Sequence, residues 1–177
     1  MTTSTIGKKI HEMVTHLQKN SAAPAPAMFK AQVRLDGGTQ CSAYVRKFPA
    51  LLVDEPPDMG GNDAGMNPVE LLLTSLGACQ GILYSLYAHM TGIKLDSVIV
   101  DLKGQLDVRG VFGVDPSVPP GYQTIKFETR ITSQEDPATI AEFVRMVEAR
   151  CPTLDTLKRP VSVTGKVFLN GEALMPL

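Results

Sequence analysis

The stretch Asn67-Pro68-Val69-Glu70-Leu71-Leu72-Leu73-Thr74-Ser75-Leu76-Gly77-Ala78-Cys79-Gln80 constrains this chain more than any other. Asn67 is a good N-cap because its side-chain oxygen can accept from a free N–H of the first turn, and Pro68 at the next position gives up a donor that had no partner there. A helix is expected from this start to about Met90. Leu72, Leu76, Cys79, Leu83 and Leu86 recur at three- and four-residue steps, and Leu73, Ile82 and Met90 widen the stripe until little polar face remains. Such a helix belongs in a core. It is too long for a strand, and Glu70, Thr74, Ser75 and Gln80 interrupt it before about 18 unbroken apolar residues accumulate, so no membrane span is expected. Cys79 sits in its middle, as packing or as chemistry.

The 177 residues suffice for one sizeable domain, and 44% hydrophobic with 20% charged residues fits a globular chain with a proper core. The formal net charge of −1, without long charged blocks, gives no electrostatic case for nucleic acid or an anionic membrane surface. The first residues lack an apolar segment after Lys8 and Lys9, so no secretory signal is read and a cytoplasmic location is expected. Cys41, Cys79 and Cys151 are odd in number and widely spaced, which suits neither a disulfide framework nor, with only His11, His16 and His89, a zinc site. No metal or cofactor is expected. Widely spaced cysteines in a reducing compartment are mostly small buried hydrophobes.

Ile6, Ile10, Met13, Val14 and Leu17 predict an amphipathic helix over 4–19, and Asn20 to Ala27, with Pro24 and Pro26, predicts an extended linker. Residues 1–27 therefore read as an arm, and 28–177 as a single domain. Phe29 to Leu35 alternates like a half-buried strand, Asp36-Gly37-Gly38 suits a hairpin turn, and Cys41 to Val45 and Ala50 to Asp54 follow as strands. The Pro- and Gly-rich segment 55–66 is a loop leading into the central helix. Ser97 to Val108 and Tyr122 to Thr132 alternate as antiparallel partners across a wide turn. Asp136-Pro137 repeats the Asn67-Pro68 device before a helix ending near Arg150. Cys151-Pro152 repeats it again before a short helix, and Val161 to Leu169 is expected to close the sheet. A thiol at a helix start faces free N–H groups and the positive end of the helix, which favours its thiolate form.

Small residues around Cys79, in Gly77-Ala78-Cys79-Gln80-Gly81, let another group approach that sulfur. The pattern Asn67-Pro68-Val69-Glu70-Leu71 to Ala78-Cys79, followed well down the chain by Cys151-Pro152 before a terminal strand, resembles the OsmC/Ohr family of osmotically inducible and organic hydroperoxide resistance proteins. The likeness runs from about Phe29 to Leu169 and is strongest to the OsmC-like branch. It implies an α+β fold in which antiparallel sheets wrap two central helices in an interlocked homodimer. It also implies a thiol-dependent peroxidase acting in oxidative-stress defence. Cys79 would be the peroxidatic thiolate and Cys151 the resolving thiol, with no cofactor beyond an external thiol or lipoyl-type reductant. In the family an arginine and a glutamate assist the thiolate.

Here the position after Asn-Pro that carries glutamate in the peroxidases is Val69, and Glu70 follows it. Nine residues before Cys79, Glu70 lies about 180° round a helix and about 13 Å along it, so only a second copy could bring it to the sulfur. Its other reading is a partner for the helix dipole. Thr39, not arginine, follows Gly37-Gly38. Arg46, where the strands turn towards the loop, is the favoured cation, with Arg34 the alternative. Cys41 receives no role. A non-catalytic dimer that binds a small apolar ligand or a redox partner, with Cys79 lining the pocket, is the alternative function.

Overall fold

The computed structural model describes residues 5–176. An amphipathic helix α1 (Thr5–Lys19) opens the chain, with Ile10 its buried residue; Ser4, the first residue of the expected helix, lies outside the described residues. The exposed linker leads to β1 (Gln32–Gly37), β2 (Gln40–Tyr44) and β3 (Leu51–Val53), an antiparallel sheet in the order β1-β2-β3. Cys41 stands opposite Leu35 on one side and Val53 on the other.

Segment 54–66 is not a slack loop. The Asp54 side chain, 1% exposed, accepts from Thr39 Oγ1 at 2.6 Å and from the backbone N–H groups of Glu55 and Asn62 at 2.9 Å and of Ala64 at 3.3 Å. One carboxylate thus satisfies donors that a Pro/Gly-rich segment cannot place in a ladder. These bonds, that from Thr39 foremost, hold the Asp54 carboxyl below the usual carboxylate range.

The central helix α2 (Pro68–Thr91) starts and stops where the sequence marks it, with Asn67 at the N-cap and Gly92 at the C-cap. Its buried face differs from the leucine stripe. Leu76, Gln80, Tyr84 and Ala88, spaced by four, are the buried residues, while Leu72, Ile82 and Met90 are 42%, 61% and 46% exposed. Only one side of the helix meets its own chain, and the hydrophobic count around the axis could not say which. By length and composition alone α2 could cross a membrane. In the fold it packs instead on α1 and on the elements that follow it.

Those are β4 (Ser97–Gln105) and β5 (Thr124–Thr132), antiparallel from Ser97 opposite Thr132 to Gln105 opposite Thr124. β4 ends earlier than the alternation to Val108 suggests, because Asp107 caps a short helix α3 (Val108–Val111) by accepting from Arg109 N–H. The inward row Val98, Val100, Leu102 faces α2. Gly77 is needed there, since a Cβ on it would stand 2.7 Å from Leu102 Cδ1.

Helix α4 (Pro137–Glu148), capped by Asp136, lays Phe143 and Val147 against Tyr84 and Ala88. Helix α5 (Pro152–Lys158) follows at once, with Cys151 at its N-cap. The expected closing strand is different in kind. β6 (Lys166–Leu169) does not join β4–β5 but pairs with β7 (Glu172–Pro176) in a separate hairpin. The positive φ angles of Asn170 and Gly171, 54° and 90°, make its two-residue turn.

Candidate functional site: two thiols on facing helices

Two observations fix the relative course of α2, α4 and α5. Tyr84 and Ala88, late in α2, pack with Phe143 and Val147. Leu72 and Ser75, early in α2, share a groove with Pro152, Thr153, Thr156 and Leu157. The chain from α4 into α5 therefore runs back along α2, and the turn bearing Cys151 falls between these two levels.

Cys79 lies one helical turn beyond Ser75 on the same face and is half-buried. Cys151 is wholly buried, and its sulfur lies 3.2 Å from Thr153 Oγ1. Both thiols are free, as is half-buried Cys41 on β2. The groove between early α2 and α5 holds about 310 Å³ and is lined by Leu72 and Leu157 beside the Ser75, Thr153 and Thr156 hydroxyls. A larger hollow of about 450 Å³ lies on the other side of Leu76, where Phe127 and Leu154 meet Glu148 and Lys158.

The core beside Cys151 is polar in a way the sequence did not announce. Gln80 and Tyr84 are both 0% exposed, and neither the Gln80 amide nor the Tyr84 hydroxyl has a hydrogen-bond partner. Thr129, on the inward row of β5, also holds a buried hydroxyl without a partner. Burial pushes the Tyr84 phenol up from its ordinary value; the nearby Thr129 hydroxyl offsets part of this, and negative charge on Glu148 or Cys151 adds to it. The Tyr84 and Thr129 oxygens are near one another without completing a bond of ordinary geometry.

The other two residues singled out from sequence have local partners. Glu70 Oε2 accepts from the Asn67 N–H and Asn67 Oδ1 from the Glu70 N–H, both at 2.9 Å, closing a capping box. Tyr122 donates to the Val69 carbonyl at 3.0 Å beside it, and its ring lies where a Cβ on Gly104 would be. Arg46 is exposed on the turn after β2, has φ 51°, and stacks its guanidinium 4.7 Å from the Phe48 ring centre. Arg34 pairs with Asp36 at 2.7 Å. The chain by itself thus brings the helices of Cys79 and Cys151 together and ties Glu70 and Arg46 to neighbours in sequence. Among the described residues no cluster of three or more His, Cys, Asp or Glu could hold a metal ion.

Sequence reasoning missed Gln80, Tyr84 and Thr129 as a group. The available signal was a glutamine at the centre of an otherwise apolar helix, in line with a tyrosine four residues on.

A family profile described as OsmC-like protein matches residues 60–166, and the chain belongs to that family. The matched span holds α2, β4, β5, α4 and α5, hence both Cys79 and Cys151. Solved structures share the fold. An OsmC-like protein from Mycoplasma pneumoniae superposes with a TM-score of 0.65 at 22% identity, over 76% of this chain and 89% of that one. An organic hydroperoxide resistance protein OsmC from Legionella pneumophila gives 0.59 at 18%, over 76% and 92%. One from Elizabethkingia anophelis gives 0.57 at 16%, over 77% and 91%. A comparison with curated proteins finds no match.

Proposed function

We propose that this protein is a thiol-dependent peroxidase that reduces organic hydroperoxides, or hydrogen peroxide, through Cys79 and Cys151. The observation that carries the reading is the pair of free thiols on packed helices, one half-buried beside a groove with apolar walls and the other sealed at a helix start. Membership of a family that includes hydroperoxide resistance proteins supports it.

In the first step the Cys79 thiolate attacks the distal oxygen of ROOH. The O–O bond breaks, ROH leaves with a proton, and Cys79 becomes a sulfenic acid. The Cys151 thiolate then attacks that sulfur; the S–S bond forms, the S–O bond breaks, and the hydroxide takes a proton to leave as water. An external thiol or lipoyl-type dithiol reduces the disulfide and completes the cycle. Leu72 and Leu157 offer the substrate's organic group an apolar wall, and the groove's hydroxyls can meet its oxygens.

The acting unit is a homodimer in the cytoplasm. Ile82, Ile99, Leu51 and Leu52 are large apolar residues left exposed by one chain, on the central helix and on two strands, as expected of a surface that a second copy covers. Glu70, about 13 Å along α2 from Cys79, reaches that thiol only across such an interface. Mixing the reduced protein with cumene hydroperoxide in a stopped-flow instrument should show fast loss of two thiols per chain, abolished in Cys79→Ser. No reaction by the wild type, or an unchanged rate in Cys79→Ser, removes the proposal and leaves a pocket that only binds.

A further inference from the structure

Gln80 presents a problem that the two-thiol reading does not absorb. A carboxamide carries two donors and two acceptor sites, and burying it without partners is costly. Here both its nitrogen and its oxygen are buried and unpaired, at 0% exposure, in the middle of the most apolar helix of the chain. Leucine or methionine would fill the same space without that cost. The hydroxyls of Tyr84, one turn further along the same face, and of Thr129, on the facing strand, are buried and unpaired too. Gln80 and Tyr84, one turn apart, are therefore unsatisfied together on the face of α2 that meets α4, with the Thr129 hydroxyl near that of Tyr84.

The α4–α5 turn carries Cys151. Tyr84 stands at the level of Phe143, with ring centres 5.9 Å apart, and the groove of Leu72 and Ser75 stands at the level of Pro152 and Thr153. Between them, Gln80 falls at the level of the α4–α5 turn, which is flanked by Val147 on the last turn of α4 and Cys151 at the N-cap of α5, both 0% exposed. The electrostatic influence of Cys151 on the Tyr84 phenol agrees with this placement.

Resting on the peroxidase reading, we propose that Gln80 is a positioning residue for the resolving step. Its amide N–H groups turn to the Cys151 sulfur as that sulfur takes negative charge, while its carbonyl oxygen accepts from the Tyr84 hydroxyl. The charge that appears on a sealed sulfur needs donors, and an amide, unlike a cation, supplies them without adding a second buried charge. Gln80 touches neither peroxide nor Cys79 sulfur; it acts by holding the Cys151 thiolate ready to attack the sulfenic acid. The bond changes are those already given, in which the S–S bond forms as the S–O bond breaks and water leaves.

Gln80→Met, close in volume and without donors, separates the steps. With one equivalent of cumene hydroperoxide the variant should form the Cys79 sulfenic acid within twofold of the wild-type rate. It should then form the disulfide at least tenfold more slowly, so that dimedone traps an adduct the wild type does not accumulate. Its melting temperature should equal or exceed that of the wild type, which excludes misfolding as the cause. A readout independent of peroxide is the Gln80 side-chain amide signal in ¹⁵N spectra, assigned by its loss in Gln80→Met. That signal should move in Cys151→Ala and stay in Cys41→Ser. Disulfide formation at the wild-type rate in Gln80→Met, or an amide signal unmoved by Cys151→Ala, overturns the role of Gln80. A wild type inert to hydroperoxide overturns the peroxidase reading instead, and the amide signal then decides the Gln80–Cys151 pairing by itself.

Discussion

The face of α2 that meets α4 and the β1–β3 sheet are built from similar residues and end in opposite states. Tyr84, Ala88, Phe143 and Val147 form a closed cluster with none more than 8% exposed. Val33, Leu35, Leu51 and Leu52, with the strand pattern that should bury one side, are 62%, 66%, 45% and 40% exposed. The first region finishes its packing within one chain. The second leaves its apolar strands exposed, and the Asp54 carboxylate ties β3 to the loop before α2. The contrast divides the molecule into a part that closes its packing within one chain and a part whose apolar strands one chain leaves exposed.

The largest effect should come from the closed part. Phe143→Ala removes a ring that is 1% exposed and in contact with Tyr84, and should cost about 3–5 kcal/mol in urea unfolding. A loss below about 1 kcal/mol would mean this cluster is not the core. Next in size is the open part. Ile82→Lys, at a position 61% exposed in one chain, should be nearly neutral if that face stays in water, within about 0.5 kcal/mol. On the dimer proposal it shifts the protein from dimer to monomer in analytical ultracentrifugation and lowers the melting temperature in a concentration-dependent way.

The smallest effect concerns the join between the two parts. The Asp54 carboxyl is held below the usual range by Thr39 and three backbone N–H groups, so its charged form stabilises the fold. That contribution is complete above the unfolded value of about 3.9 and is lost as pH falls through the lower folded value. Asp54→Asn should therefore melt below the wild type at pH 7, with the gap closing on acidification below about pH 4. An equal gap at both ends of that range would mean the charge is not what matters.

Much of the frame could be read beforehand because it rests on local chemistry. Asn67-Pro68, Asp136-Pro137 and Cys151-Pro152 each start a helix, since the missing proline donor and, at Asn67 and Asp136, the side-chain cap act within one turn. Alternation located the β4–β5 pair for the same reason. Three features escaped. The turn Asn170-Gly171 was a hairpin signal that went unused, so β7 was missed and β6 was assigned to the wrong sheet. The buried side of α2 depends on which neighbours arrive, and on a helix apolar all round the periodicity has little to distinguish them. The polar group of Gln80, Tyr84 and Thr129 joins a helix to a strand far away in sequence, and no single window contains it. Of the candidate site, Cys79 and Cys151 were singled out from their motifs, and α2 and α5, which carry them, are in contact. Glu70 was read as a helix-dipole partner beside a catalytic role, and neither its capping box with Asn67 nor the stacking of Arg46 on Phe48 was foreseen.

If Cys79 and Cys151 act as a pair, oxidation joins them to each other and leaves Cys41 free. Treating the reduced protein with one equivalent of hydroperoxide, blocking remaining thiols and mapping the peptides by mass spectrometry tests this pairing most directly. The expected result is a loss of two hydrogens per chain and a peptide pair joining Cys79 to Cys151, with Cys41 still alkylated. A bond to Cys41, or two intact thiols at 79 and 151, would contradict it.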